Sequence, residues 1–438
     1  MCDGVGAVEP PAVSVVKWLQ AFAGFCPGID FEESYYLNWR RNLWTLALAV
    51  MLSGSSYTMV IPFLPLYLLE IGVSPERVNM WSGFIFSVTF LVAAVMAPYW
   101  GRCADKSGRR RMIMRAGFSL SIVYLLGAFV RNPVDLLVVR ILQGIANGFV
   151  PASMAIVAAS TPPDKIGFSL GIMQTTLLIG GILGPVIGGT LSHLFGMRLS
   201  FVVAAAIIFL GTLMVGALVA EPKNCQAQPE SSIRDDLKAA FSNRKLVAVL
   251  LLLFSVQAVS MILQPLITLY VVQLQGNTDG VVFTAGIVYS LAGVAGAFSA
   301  PLWGRMGQRA GFLRILVAAF LGAGIFNLSQ FFAGDIYQFA CLQFLYGLFI
   351  VGVFPAINTI AVSCSDAGSQ GRIFGLTTTA NQLGSMIGPL LGGGISSWLG
   401  IKPVFLVTGG ILLLLGAIVF LTGLLTAEPL KPKQQTQY

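Results

Sequence analysis

Charged residues are scarce in this chain of 438 residues, since Asp, Glu, Lys and Arg together make up only 10% of it. An average soluble domain carries about 25%. Apolar residues account for 56% of the chain, and the mean hydropathy is +0.82. The shortage of charge excludes an ordinary soluble domain and predicts an integral membrane protein.

The residues of metal and covalent chemistry are also sparse. His193 is the only histidine, which excludes a histidine-rich metal site. The six cysteines form no CxxC pair and do not indicate a disulfide framework. Neither a nucleophile–base pairing nor a phosphate-binding Gly-x-x-x-x-Gly-Lys-Ser/Thr loop can be assigned. We therefore expect that the protein is not an enzyme and that it uses no cofactor and no metal.

Long apolar runs, separated by short polar turns, fill most of the chain. They fall near residues 43–69, 79–100, 112–130, 135–159, 167–191, 199–220, 245–273, 281–303, 312–332, 336–363, 371–397 and 403–426. A bilayer-spanning helix needs about 20 residues. The predicted fold class is therefore all-α integral membrane, with twelve transmembrane helices, numbered 1 to 12 in chain order. An even number places both termini on one side.

Lysine and arginine decide which side that is. With both termini cytoplasmic, the outer loops contain only Arg77, Arg131, Arg198 and Lys402, and one further arginine, Arg140, lies within a span. The other 21 of the 26 basic residues are then cytoplasmic. Because basic residues concentrate in cytoplasmic loops, this orientation is the predicted one.

The predicted domain organisation has two six-helix bundles. A cytoplasmic tail at 1–40 precedes the first bundle at 41–220, a linker at 221–244 joins it to the second bundle at 245–426, and a cytoplasmic tail follows at 427–438. In the linker, Ile233, Leu237 and Phe241 recur every four residues, which predicts a short amphipathic helix on the inner membrane face.

An internal repeat relates the two bundles. The segment APYWGR at 97–102 recurs as APLWGR at 300–305, an offset of 203. GILGPVIGG at 181–189 recurs as SMIGPLLGG at 385–393, an offset of 204. Two parallel repeats that face each other around a midplane site form a transporter architecture.

Three motifs carry a resemblance to a known family. They are GRCADKSGRR at 101–110, RILQG at 140–144, and the glycine-rich segment at 180–189. Together they resemble the major facilitator superfamily across residues 40–426. The third motif, with NWRRNL at 38–43 and NMWSG at 79–83, is similar to drug:proton antiporters, specifically bacterial multidrug exporters of the MdtG type.

The resemblance implies a monomer in the inner membrane of a bacterium, surrounded by membrane lipids. It also implies export of a small amphiphilic molecule in exchange for protons, and hence antibiotic resistance. Two alternatives stay open. One is export of a dedicated metabolite such as a siderophore or glycolipid. The other is import by proton symport, against which the glycine-rich segment at 180–189 argues; this segment lies in helix 5 and is called the helix-5 motif below. Nucleic acid is not an expected partner, because aromatic stacking residues and a soluble basic domain are missing.

The loop between helices 2 and 3 is predicted to form a conformational latch. Its lone acid, Asp105, would approach the positive N-terminal end of helix 11. This contact would close the cytoplasmic side, as the resemblance also implies. Gly101, which precedes Asp105, would let helix 2 end against the backbone of another helix. The predicted latch residues are Gly101, Asp105, Gly108, Arg109 and Arg372. Gln308 stands at the place of Asp105 in the second copy of the motif, so the latch is one-sided.

The helix-5 motif predicts close helix packing, because glycine lets helices approach and proline kinks them. The predicted partner is helix 8, through Gly286, Gly293 and Gly296, and generic membrane packing is the alternative. The resemblance implies that this contact prevents a leak. The motif residues are Gly180, Gly184, Pro185, Gly188 and Gly189.

Arg140 is a charge at membrane depth, which costs about 2.5–3.5 kcal/mol. One interpretation is structural, with Arg140 reaching the outer headgroups or pairing with Asp135. The other has Arg140 facing the cavity, where the resemblance favours a coupling role. No Asp or Glu lies unambiguously in mid-membrane, so Asp105, Glu70 and Asp135 are the remaining candidates for the proton carrier. Proton coupling is thus implied by the resemblance alone.

The predicted binding cavity is apolar with a few polar groups. For each of these groups, hydrogen bonding between helices is the alternative interpretation. Because no carboxylate is expected in the cavity, neutral, zwitterionic or weakly anionic amphiphiles fit better than cations. The candidate lining residues are Tyr57, Asn147, Gln174, Gln257, Gln264, Tyr289, Asn358 and Asn381.

Overall fold

The computed structural model describes residues 38–162, 165–221, 244–276, 280–363 and 370–422. Within these ranges the chain forms α-helices and short turns, and it contains no β-strand. The helices are α1 Trp39–Val60, α2 Leu64–Glu70, α3 Val78–Ser107, α4 Arg109–Gly127, α5 Pro133–Ala146, α6 Phe149–Ser160, α7 Ile166–Phe195, α8 Met197–Leu218, α9 Arg244–Ile262, α10 Leu266–Gln275, α11 Val281–Ala310, α12 Phe312–Ser329, α13 Ile336–Ser363, α14 Gln370–Leu399 and α15 Lys402–Thr422.

Three predicted helices are interrupted. Helix 1 consists of α1 and α2, helix 4 of α5 and α6, and helix 7 of α9 and α10. Prolines lie at two of these breaks, Pro65 in the first turn of α2 and Pro265 in front of α10. Proline cannot donate a backbone hydrogen bond inside a helix. At the third break Gly148 has φ +127°, a conformation that favours glycine.

Ten of the helical stretches are long and apolar enough to cross a membrane, by length and composition. The two other predicted spans are also helical, as α4 and α14. The first turn of α4 contains Arg109, Arg110 and Arg111, and α14 is rich in threonine, serine, asparagine and glutamine. The all-helical membrane fold is therefore confirmed. The count of twelve spans and the side of the termini stay predictions. The predicted amphipathic helix, most of the first predicted tail and all of the second lie outside the described residues.

The repeat in the sequence reappears as repeated hydrogen bonds. Trp100 Nε1 donates to the carbonyl of Ile145 at 2.8 Å, and Trp303 Nε1 donates to that of Leu348 at 2.6 Å. The hydroxyls of two buried tyrosines also donate to equivalent carbonyls, Tyr67 to Gly127 and Tyr270 to Gln330. Residues 38–221 and 244–422, here the first and second halves, therefore share one local architecture.

The helices alternate in direction, and their basic residues form two groups, one at each end of the molecule. The end that contains the turn from α3 to α4 is called the basic end, and the opposite one is called the far end. The basic end includes Arg40, Arg102, Arg109, Arg110, Arg111, Lys165, Arg244 and Arg305, whereas the far end includes Arg77, Arg131, Arg198 and Lys402.

Candidate functional site

The two halves touch closely at the far end. A Cβ atom on Gly83 of α3 would overlap the carbonyl oxygen of Pro389 in α14, and one on Gly286 of α11 would overlap that of Pro185 in α7. The two contacts are equivalent in the repeat. Both bring the backbones of helices from different halves together, which requires residues without side chains.

Polar side chains reinforce both contacts. Asn79 Nδ2 donates to the carbonyl of Ser396 at 3.4 Å, between α3 and α14. Ser290 Oγ donates to the carbonyl of Ile182 at 2.7 Å, between α11 and α7. The far end is therefore closed on two sides of the molecule.

Glycines near the basic end have different surroundings. A Cβ atom at Gly101 of α3, Gly304 of α11, or Gly167 and Gly171 of α7 would meet no atom within 4 Å. The expectation that Gly101 meets another backbone is wrong for this conformation, because α3 contacts the second half near its far end. The helix also continues beyond Gly101 to Ser107.

The turn after α3 is bound by its own half. Gly108 has φ +98°, and the backbone N–H of Arg109 donates to Glu221 Oε1 at 2.5 Å. Arg109 Nη1 donates to the carbonyl of Ala155 at 3.0 Å. Glu221 was not predicted as part of this loop. Asp105 and Arg372 belong to α3 and α14, but their side chains lie outside the described part of the chain, so the predicted contact between them stays a prediction.

The helix-5 motif packs mainly on helix 1. Side chains at Gly180, Gly184 and Gly188 would overlap backbone or side-chain atoms of α1. Of the four motif glycines, Gly189 is the one that faces α11, where a Cβ atom on it would lie 2.9 Å from the carbonyl oxygen of Val282. In the second half, Gly384, Gly388 and Gly392 face α9 in the same manner.

The predicted contact with helix 8 is present through two of its three glycines. Gly286 faces Pro185, and a Cβ atom on Gly293 would lie 2.7 Å from Ile182 Cγ1. The prediction for Gly296 is wrong, because Gly296 faces Val351 of α13. It lies on the side of α11 that packs within the second half.

Arg140 lies on α5 and is buried, with only 3% of its surface exposed. Its Nη1 donates to Gln143 Oε1 at 2.8 Å, and Gln143 Nε2 donates to the hydroxyl of Tyr124 at 3.1 Å. Its guanidinium carbon lies 5.6 Å from the centre of the Phe86 ring. The buried Nε and Nη2 atoms have no hydrogen-bond partner.

The structural interpretation of Arg140 is wrong in both of its forms. A side chain that is 3% exposed does not reach the headgroups. Asp135 instead accepts from the backbone N–H of Arg131 at 3.2 Å, while its own N–H donates to Asn132 Oδ1 at 2.9 Å. These are capping bonds at the start of α5. Among the described residues, the ionisable side chains close enough to influence Arg140 are Tyr57 and Tyr124.

Polar side chains from both halves meet near Arg140. Gln264, between α9 and α10, interacts with the hydroxyls of Tyr57 of α1 and Tyr289 of α11, and Tyr346 of α13 lies near Tyr289. Gln264 is 4% exposed, and its buried Oε1 accepts no hydrogen bond of normal geometry. We call these residues the central cluster, comprising Tyr57, Tyr124, Arg140, Gln143, Gln264, Tyr289 and Tyr346.

Three of the eight predicted cavity residues, Tyr57, Gln264 and Tyr289, thus come together. Gln257 Nε2 donates to Ser385 Oγ at 2.9 Å, which is the alternative predicted for it, a bond between helices. Asn147 Oδ1 accepts from the N–H of Gly148 at 2.7 Å and caps the break in helix 4.

The other predicted positions do not join the cluster in this structure. Gln174 and Asn358 are exposed, and the buried Oδ1 of Asn381 has no partner. Glu70 is exposed at the end of α2, near the far end. Within the part of the chain that the structure describes, Glu70 is not among the ionisable neighbours of Arg140, which are Tyr57 and Tyr124.

Sequence reasoning missed Tyr124, Gln143 and Tyr346. Gln143 lies three residues after Arg140 in the RILQG segment, and residues at that spacing share one helix face. Tyr346 occupies the place of Gln143 in the second half, at the offset of 203. Both could have been found from spacing, whereas Tyr124 required the packing of α4 on α5.

An α-helical membrane protein with two related halves and a polar cluster where they meet has the architecture of a secondary transporter. A family model matches this chain over residues 46–300 and 280–437. The chain belongs to the Major Facilitator Superfamily. It is accordingly a multi-pass transporter of the bacterial inner membrane and not an enzyme, as expected.

Several known proteins are similar to the chain. The multidrug resistance protein MdtG of Salmonella arizonae is 35% identical over 379 residues, which cover 86% of this chain and 94% of that protein. MdtG of Klebsiella pneumoniae is also 35% identical, over 86% of this chain and 92% of its own length. The resemblance to exporters of the MdtG type is therefore confirmed.

Among solved structures, a bacterial homologue of the human lysosomal transporter Spinster, in an inward-facing and occupied conformation, superposes with a TM-score of 0.72. Its sequence identity is 17%, and the match covers 90% of this chain and 97% of that one. At this identity the likeness supports the fold alone.

Proposed function

We propose that the protein exports drug-sized amphiphilic compounds from the cytoplasm by alternating access, in exchange for protons. The proposal includes twelve spans in two six-helix bundles, with both termini cytoplasmic. It is supported by the relatives named multidrug resistance proteins, which are 35% identical over 86% of the chain. The observation that carries it is the buried polar cluster, to which both halves contribute side chains.

The positive-inside rule makes the basic end cytoplasmic. The Gly83–Pro389 and Gly286–Pro185 contacts close the far end, and the proposal therefore assigns this conformation to the inward-facing state of the cycle. In the proposed cycle these contacts separate, and the latch at Asp105 and Arg372 forms on the cytoplasmic side. Substrate at the central cluster is then released outward.

The proton pathway is the part of the proposal that depends most on the family resemblance. Asp135 caps α5, and Glu70 is exposed near the far end. Arg140 is the one ionised side chain described within the central cluster, and its proposed coupling role is to respond to proton movement among its neighbours.

Transport into inverted membrane vesicles tests the proposed function. Respiration acidifies the vesicle interior, so an exporter that exchanges drug for protons should concentrate dye there and release it when an uncoupler collapses the gradient. A panel of neutral, anionic and cationic dyes, compared with vesicles that lack the protein, separates broad export from a dedicated one. Failure to accumulate any dye would reject multidrug export, and accumulation that ignores the uncoupler would reject proton antiport.

A further inference from the structure

Arg140 has an unfilled hydrogen-bonding edge. Its Nη1 bonds to Gln143 Oε1 at 2.8 Å, while Nε and Nη2 are buried without partners. Leaving a buried donor unsatisfied costs about 1–3 kcal/mol, and more for a charged group. Such groups call for an explanation in terms of function or of a missing partner.

The two unpartnered nitrogens, Nε and Nη2, lie along the same edge of the planar guanidinium group, the edge that faces away from Cδ. This edge can form two parallel N–H···O bonds with one oxyanion, the arrangement in which arginine binds carboxylate and phosphate most specifically. Arg140 thus presents the geometry of an anion site rather than a single spare donor.

The protein itself supplies no anion here in the part that the structure describes. The ionisable neighbours of Arg140 are the hydroxyls of Tyr57 and Tyr124, which are neutral at ordinary pH. Asp135 is engaged in the cap of α5, and Glu70 is exposed near the far end. Among the residues that the structure describes, none supplies the anion, and this favours a partner from outside the chain.

Gln264 adds a second unfilled group on the other half. Its buried Oε1 accepts no hydrogen bond of normal geometry, although the hydroxyls of Tyr57 and Tyr289 are nearby. The second half thus offers a hydrogen-bond acceptor, Gln264, and the first half offers the cationic fork of Arg140, with tyrosine rings and Phe86 nearby. These groups fit a ligand with an anionic group, an apolar body and a hydrogen-bond donor.

We propose that Arg140 binds the anionic group of the transported molecule, so that the protein carries amphiphilic carboxylates, sulfonates or phosphates, with Gln264 accepting a hydrogen bond from the same molecule. This inference rests on the proposed export function and narrows its substrate class. The anion neutralises the buried guanidinium, which removes the unfavourable unpaired charge from the loaded transporter.

The second half provides an internal control. Gln343 occupies the place of Arg140 at the offset of 203, is 3% exposed, and accepts from Gln330 Nε2 at 3.0 Å. The anion site therefore exists in one half only. Replacing Arg140 by glutamine gives the first half the side chain that already stands in the second.

The test compares two probes with the same ring skeleton. They are 8-anilinonaphthalene-1-sulfonate, which is anionic, and N-phenyl-1-naphthylamine, which lacks the sulfonate. Binding is measured by equilibrium dialysis to the full-length protein in phosphatidylcholine nanodiscs, with empty nanodiscs subtracted. The variants are Arg140→Gln, Arg140→Lys and the control Gln343→Leu, each first checked for a single symmetric gel-filtration peak.

We expect wild type to bind the sulfonate more tightly than the neutral probe. Arg140→Gln should lower the ratio of the two affinities by at least about tenfold, the effect of losing hydrogen bonds to a charged group. Arg140→Lys should lower the ratio less, because it keeps the charge without the fork. Gln343→Leu should leave the ratio unchanged.

Equal loss of both probes in Arg140→Gln, or tighter binding of the neutral probe by wild type, would overturn the proposal. If Arg140→Gln does not fold, the ratio in Arg140→Lys decides in the same way. The vesicle assay keeps this result separate from the export proposal. If sulfonate binding depends on Arg140 but no dye accumulates in the vesicles, export is rejected and the anion site is retained. If dye is exported but the protein shows no preference for the sulfonate, the anion site is rejected and export is retained.

Discussion

The two halves of the molecule have the same framework and different centres. Trp100 and Trp303 make equivalent hydrogen bonds, and Gly83 and Gly286 make equivalent contacts between the halves. At the centre, however, the first half has Arg140 where the second has Gln343. Contacts that occur in both halves stabilise the shared architecture. A function that requires the two halves to differ can be located only at positions where their residues differ.

The turn between the second and third helices of each half shows a similar contrast. Gly108 and Gly311 both have positive φ, +98° and +92°. A Cβ atom on Gly108 would lie 2.8 Å from Glu221 Oε2, whereas a Cβ atom on Gly311 would meet no atom within 4 Å. The first turn is thus bound by a carboxylate, and the second has no such cover.

Breaking a contact that both halves share should have the largest effect. Gly286→Leu places a side chain where the carbonyl of Pro185 lies, so the far end cannot close and dye accumulation should fall more than about tenfold. Overpacking should also cost roughly 1–3 kcal/mol of stability, measured as earlier thermal unfolding in detergent. Gly410→Leu is the matched control, because a Cβ there meets nothing within 4 Å. Similar losses in both variants would contradict the importance of this contact.

Breaking the one-sided latch should have the next largest effect. Asp105→Asn removes the only acid of the first loop and should abolish most transport in the vesicle assay, about a tenfold loss of initial rate. Its repeat counterpart, Gln308→Ala, should change the rate little. Equal transport by wild type and Asp105→Asn would reject the latch.

Removing the carboxylate beneath the first turn should have a smaller effect. Glu221→Gln keeps a side chain that can accept from the N–H of Arg109, but it loses the interaction of a charge with the positive end of α4. The expected loss of stability is about 0.3–1 kcal/mol, seen as a slightly lower thermal midpoint in detergent. A midpoint equal to wild type would show that only the hydrogen bond matters.

A similarly small effect should come from the duplicated tryptophan bonds. Trp100→Phe and Trp303→Phe each remove one N–H···O bond, at 2.8 and 2.6 Å, while keeping an aromatic ring. Each should cost about 1 kcal/mol, and the two losses in thermal stability should be nearly equal. A clear difference between them would show that the halves are less alike energetically than geometrically.

Sequence reasoning anticipated the helical framework well, since apolar runs, prolines and glycines act locally. It placed the helix-5 glycines against the wrong main partner. Gly184 and Gly188 face α1, because helix 5 packs within its own half along most of its length and meets α11 mainly near the far end. The pattern of glycines predicts that something approaches closely, but not which helix does.

The sequence by itself determined that this is a multi-pass membrane protein built from a repeat, because apolar length, charge distribution and motif spacing are properties of the chain in linear order. Only the tertiary structure decided that Arg140 is buried with an open edge, and that Tyr57, Gln264 and Tyr289 lie together between the halves. These groups come from helices far apart in sequence. Their surroundings depend on how the helices cross and which end is closed, which no local pattern specifies.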